Sequence, residues 1–176
     1  MSIFDTLDDE GNVTTDSSEL IKQEIIDWIK KYCGGAEHNY NKIKIDYKDG
    51  KYIVNWAEDV IVSSDAPSLN NGLFVWGKIV GIFDCSECNK LKSLEGAPTE
   101  VLDFDCSICE NLTSLEGAPQ KVYGNFYCVD CMNLESLKGA PEEVGGIFDC
   151  SGCFKLTSPK GGAKKYRELR IPKHLR

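Results

Sequence analysis

"FDCSECNKLKSLEGAP", residues 83–98, sets two cysteines in a C-x-x-C arrangement ahead of two leucines and a Gly-Ala-Pro turn. The same order returns three more times. "VGIFDCSECNKLKSLEGAP" from Val80, "VLDFDCSICENLTSLEGAP" from Val101, "VYGNFYCVDCMNLESLKGAP" from Val122 and "VGGIFDCSGCFKLTSPKGGA" from Val144 superimpose with a period of 21 or 22 residues. The columns are Val80, Val101, Val122, Val144; Phe83, Phe104, Phe126, Phe148; Cys85, Cys106, Cys128, Cys150; Cys88, Cys109, Cys131, Cys153; and Leu91, Leu112, Leu134, Leu156. A further column of Leu94, Leu115 and Leu137 ends in Pro159.

Phe and the first Cys are two residues apart, so on a strand they share the inward side and the residue between them faces out. Gly-Ala-Pro supplies the turn that brings the chain back within one period. One coil cannot bury its apolar side alone, so successive coils must stack, with both ends covered. The consensus V-x-x-F-x-C-x-x-C-x-x-L matches the leucine-rich pattern with Phe and Cys at apolar positions. The expected fold is a β-rich solenoid of leucine-rich-repeat-like coils, with an N-terminal amphipathic helix and a β-hairpin as its cap.

Outward from the repeats, Leu20, Ile21, Ile25, Ile26, Trp28, Ile29, Tyr32 and Cys33 recur at helical spacing, which predicts a helix over about residues 17–33. Asp16 or Ser17 can cap its start and Gly34-Gly35 its end. "KIKIDYKDGKYIVNW" alternates around Asp49-Gly50 as a hairpin does, and "DVIVSS" and "GLFVWGKIVGIFDC" are rich in strand formers. The organisation expected is a flexible acidic arm at 1–15, helix, hairpin and capping strands at 16–79, four repeats at 80–163, and a half repeat with a basic C-terminal cap at 164–176. In the half repeat, Tyr166, Leu169 and Ile171 take the Val, Phe and Cys columns.

The 176 residues carry 41% hydrophobic side chains and a net charge of −8. Residues 1–65 contribute −7, residues 66–154 contribute −8, and residues 155–176 contribute +7. Such an acidic body disfavours nucleic acid as a partner, and no apolar run approaches the roughly 20 residues of a membrane span. The start "MSIFDTLDDEGNV" lacks the pattern of a secretion signal, so a cytoplasmic setting with reduced thiols is expected. Nine cysteines then suggest metal ligands, reactive thiols or small core residues rather than disulfides.

The repeat F-x-C-S-x-C/N-x-x-L-x-S-L-E-G-A-P-x-x-V resembles the leucine-rich-repeat proteins encoded by many tailed bacteriophages and some bacteria. The resemblance covers residues 80–163 and extends more loosely to the helix and hairpin. Family members commonly carry Asn at the second cysteine column, which implies a role in the turn rather than in metal binding. It also implies a phage-encoded, host-directed binding protein with no catalytic residues or cofactors to carry over.

Cys85, Cys88, Cys106 and Cys109 fall within the spacing range of four-cysteine zinc sites. Their placement argues against that, because a ladder with one inward thiol and one turn thiol per coil does not converge on a point. Zinc or thiol-redox chemistry is thus the alternative to a structural role. No phosphate-binding loop, G-x-S-x-G or H-E-x-x-H occurs, so no enzyme activity is expected. The candidate partner-binding residues are the outward ones, Asp84, Asp103, Asp105, Tyr127, Asp149 and, from the half repeat, Arg170. They form an acidic face with a central aromatic, suited to a host protein with a basic surface; a mimic of nucleic acid is a further alternative.

Overall fold

A computed structural model describes residues 15–34 and 40–176, with side chains from residue 18. The expectation of an acidic arm and the capping side chains of Asp16 and Ser17 lie outside the described residues. The chain begins with helix α1, Thr15–Tyr32, which ends at Gly34 in the left-handed region, φ 104°. Its buried stripe is Ile21, Ile25, Ile29 and the following Cys33, whereas Leu20 faces outward at 56% exposure. A hairpin follows, β1 (Lys44–Lys48) and β2 (Lys51–Trp56), turning through Asp49 and Gly50, both with positive φ.

From β2 onward the strands pair in parallel and the chain becomes a β-solenoid of about five turns. In order these strands are β3 (Val60–Ile61), β4 (Phe74–Asp84), β5 (Glu100–Asp105), β6 (Lys121–Val122), β7 (Phe126–Tyr127), β8 (Glu143–Val144), β9 (Ile147–Asp149) and β10 (Glu168–Arg170). The return side of each coil is made of tight turns, such as Leu112 N–H to Cys109 O and Ala118 N–H to Leu115 O. Return-side coils bond to one another through Leu94 N–H to Glu116 O and Leu115 N–H to Lys138 O, both 2.9 Å.

One coil precedes the four visible in the repeat. Trp56 pairs with Ile79 and Val60 with Phe83, and Val62 is buried two residues further on, its N–H bonded to Asp84 O. The spacing Trp56–Val60–Val62 equals that of Val122–Phe126–Cys128. At the far end Leu169 pairs with Phe148 and Arg170 with Asp149.

The first column needs correction. Ile79, not Val80, pairs with Val101; Ile79 is fully buried and Val80 is 56% exposed. Three coils place three residues between the column and its Phe, counting Ile79–Phe83, Val122–Phe126 and Val144–Phe148, but the coil of β5 places only two, between Val101 and Phe104. The extra residue makes a bulge between Ile79 and Ile82, and aligning on valine identity slips the first coil by one, which turns the side chain to the other face.

The bulges have a side-chain partner. Oδ1 of Asn55 accepts from Lys78 N–H, Asp59 from Ile82 N–H and Asn125 from Ile147 N–H at 2.8–2.9 Å, and Asp103 accepts from Asn125 N–H. A Cβ on Gly77, Gly81, Gly124 or Gly146 would meet these same oxygens at 2.2–2.4 Å. Each acceptor fills the ladder position that the bulge leaves unpaired.

Down the interior runs an aromatic spine. Trp28 meets Phe74 at 5.7 Å, Phe74 meets Trp76 and Trp76 meets Phe83 edge-on, and Phe83, Phe104 and Phe126 stack at 5.6 and 5.4 Å with interplanar angles of 1° and 9°. Phe126 and Phe148 return to an edge contact at 5.3 Å. From Phe74 to Phe148 each ring is buried, and Trp28 packs half-buried at the N-terminal end of the spine.

Gly117 has φ 88°, and a Cβ there would stand 2.3 Å from Glu95 N and 2.4 Å from Leu94 C in the preceding coil. Gly117→Ala should therefore cost about 3 kcal/mol, a strained left-handed residue plus separation of two coils, visible as an earlier urea midpoint with native-like circular dichroism.

Candidate functional site

Every outward strand residue meets its counterpart about 4.8 Å away on the next coil. This spacing forms rows across the face. The strand-end row is Ile61, Asp84, Asp105, Tyr127, Asp149 and Arg170, each hydrogen-bonded in register with the next. Beside it, Ile82 pairs with Asp103, followed on later coils by Asn125 and Ile147.

The predicted residues thus share one face, but their carboxylates have local work. Oδ1 of Asp84, Asp105 and Asp149 accepts from the N–H of Ser86, Ser107 and Ser151 at 2.8–2.9 Å, closing the turn after each strand. Asp103 holds the bulge of the next coil. The fully outward placement expected for Asp149 is corrected: it is 7% exposed, with Oδ2 3.5 Å from the Arg170 guanidinium. The half repeat covers it, so its charge is neutralised at the end of the row. Among the described residues no ion pair joins a cation to Asp84, Asp103 or Asp105, and the negative end of the face lies over β4 and β5.

No family model, no curated protein and no solved structure matches the chain.

The face also carries rows that the columns of identical residues do not reveal. Just before the first inward column stand Lys78, Glu100, Lys121, Glu143 and Lys165, alternating in sign and paired coil to coil. Lys78 lies 4.0 Å from Glu100, Lys121 lies 3.8 Å from Glu143, and Lys165 also pairs with Glu143. Just after that column come Val80, Leu102 and Tyr123, exposed at 56%, 45% and 44%. The Tyr123 hydroxyl donates to Glu100 at 2.7 Å, and the Lys78 and Lys121 ammonium groups lie 5.3 and 4.9 Å from its ring centroid. The carboxylate pushes the Tyr123 phenol up. The signal was present in the alternation K, E, K, E, K, but it becomes readable only once the register is known.

The thiols have a structural occupation. Cys109 Sγ donates to Cys85 O at 3.2 Å, Cys131 to Cys106 O at 3.2 Å and Cys153 to Cys128 O at 3.0 Å, so the second cysteine of each coil ties down the first cysteine column of the coil before. Cys88 reaches Val62 O and Ser63 O in the same way. Between the two cysteines, Glu87, Ile108 and Asp130 hold φ of 54–59°, with Gly152 at the equivalent place. All nine cysteines are buried and unpaired, and among the described residues no group of three or more His, Cys, Asp or Glu side chains gathers as metal ligands would.

Burial pushes up the thiols of Cys33, Cys85, Cys106 and Cys128, and takes Cys88 to about 11 and Cys109 to about 12. At the C-terminal end, hydrogen bonding with Cys128 and Cys131 holds the Cys153 thiol down, and hydrogen bonding with Cys153 pushes the Cys131 thiol up. A thiolate is the nucleophile and the metal ligand, so raised thiols are inert in both respects.

Two outcomes follow. Asp105→Asn retains the turn acceptor and should unfold at the wild-type urea midpoint, whereas Asp105→Ala should lose about 1 kcal/mol. Above about pH 8.5 the unfolded chain releases thiol protons that the folded chain keeps, so stability should fall as pH rises, by about 1.4 kcal/mol per pH unit for each raised thiol. Urea titrations above about pH 8.5 measure that slope.

Proposed function

We propose that this chain is a non-enzymatic protein-interaction module that docks through the outward face of its sheet. The coils are leucine-rich in type, with α1 and the hairpin as their N-terminal cap. What carries the reading is the pairing of unneutralised Asp84, Asp103 and Asp105 with exposed Val80, Ile82 and Leu102 on one continuous surface. Isolated exposed apolar residues are ordinary on any protein, but a contiguous set bordered by one sign of charge suits a partner with a basic, partly apolar patch. The backbone beneath is tied at every coil, so the face is preorganised and little ordering cost falls on binding.

The resemblance to phage-encoded leucine-rich-repeat proteins supports a host protein, including a defence protein, as the target, with inhibition or redirection as the outcome of binding. Partner and chain then meet in the host cytoplasm. No helix among the described residues is long and apolar enough to cross a membrane. The thiols favour a structural part in this scheme, because each second cysteine already donates to a neighbouring carbonyl.

The test removes charge without removing the turns. Asp84→Asn with Asp105→Asn should keep the wild-type unfolding midpoint and weaken capture of the partner from host lysate by about tenfold or more, with wild-type capture falling at high salt. Equal capture by the folded double variant would remove the acidic face from the function.

A further inference from the structure

The C-terminal end of the solenoid carries a second surface of opposite sign. Of the basic residues in 155–176, Lys164 and Lys165 pair with Glu142 and Glu143, and Arg170 pairs with Glu168 and Asp149. These cations are spent on the body. Past them the chain makes a short 3-10 turn, Lys173–Leu175, after Pro172. The turn is pinned where the His174 ring Nε2 meets Leu156 O at 2.8 Å.

Between this turn and the last cysteine loop lies a concavity of about 440 Å³, lined by Phe154, Ile171 and Pro172 with Lys173, His174 and Arg176. Phe154 is the most exposed large apolar side chain described, at 67%. Among the described residues, Lys173, His174 and Arg176 form no ion pair with a carboxylate. The charged side chains that line this concavity, Lys173 and Arg176, are both cationic, and its floor is apolar.

We propose that this end groove binds a short acidic peptide segment of a protein partner, seating one bulky apolar side chain against Phe154, Ile171 and Pro172 while flanking carboxylates meet Lys173 and Arg176. The volume suits a single large side chain with its neighbouring backbone. A concavity also favours an inserted side chain over a flat surface. Long polyanions fit less well, because residues 1–154 carry −15 and an extended nucleic acid or anionic membrane would run from the basic end onto the acidic body. A short motif confines its charge to the groove. The site is separate from the face of Asp84 and Asp105 and does not depend on it.

The full chain can be titrated by fluorescence anisotropy against a labelled peptide Asp-Glu-Phe-Glu-Asp, blocked at both ends, and against the same peptide with Ser for Phe. Expected is saturable, salt-sensitive binding of the first, about tenfold weaker binding of the second, and a similar loss with Phe154→Ala and with Lys173→Glu plus Arg176→Glu. Phe154 is mostly exposed, so its truncation leaves the fold intact, and the unfolding midpoint checks this. Asp84→Asn with Asp105→Asn should bind the peptide as wild type does, which separates this site from the proposed docking face. Equal binding of the two peptides, or no effect of Phe154→Ala, overturns the proposal. So does tighter association with phosphatidylserine vesicles or with a single-stranded oligonucleotide. Concentration-dependent self-association lost in the Lys173→Glu and Arg176→Glu variant would assign the groove to a second copy of this chain and overturn it equally.

Discussion

The spacing of about 4.8 Å between coils is the constraint from which the rest follows. In a stack held by parallel hydrogen bonds, each side chain meets the residue at its own position in the next coil. A row is therefore tolerable only if its members can sit against copies of themselves. Phe can stack on Phe, and it does so from Phe83 to Phe126 with nearly parallel rings. The second Cys of each coil donates to a carbonyl one coil away. Like charges cannot sit face to face without cost, and the chain answers in two ways. The row from Lys78 to Lys165 alternates in sign, and the aspartates of the strand-end row turn one oxygen to the backbone N–H two residues on.

The same constraint explains the bulges. An extra residue in β4 would leave an N–H without a partner, so an Asn or Asp on the neighbouring coil supplies the oxygen and a glycine leaves room for it. Asp103 illustrates how one residue reads differently at two levels. As a sequence position it is an acidic residue on the outer face; in the fold it is the acceptor that completes the next coil. Its net charge still reaches solvent, and this is why a surface tied together for structural reasons can also present a potential to a partner.

Opposite surfaces at the two ends follow from charge that is distributed unevenly along a rigid stack. The C-terminal segment spends three of its cations on Glu142, Glu143, Asp149 and Glu168, fastening the last coil, and keeps Lys173 and Arg176 free of such pairs among the described residues. Structural and available charge are thus separated within residues 164–176.

Much of the fold was legible because a repeat states the same physical solution several times. Columns of Phe, Cys and Leu at a period of 21 or 22 residues can be read without coordinates, since inward positions tolerate only small or apolar residues. The coil at Trp56, Val60 and Val62 keeps the spacing of the repeat and not its residue types, so columns of identical residues do not reveal it. The slip at Val80 arose because two apolar residues stand side by side, and sequence has no means to weigh a bulge. For the candidate site, the sequence determined which residues face outward, Asp84, Asp105 and Tyr127 among them. Only the tertiary structure decided that Asp149 is covered by Arg170, that Lys78 to Lys165 form one ladder, and that Phe154 lines a basic groove. Those facts depend on register between coils and on how the last coil closes, and neither is a property of any single segment of the chain.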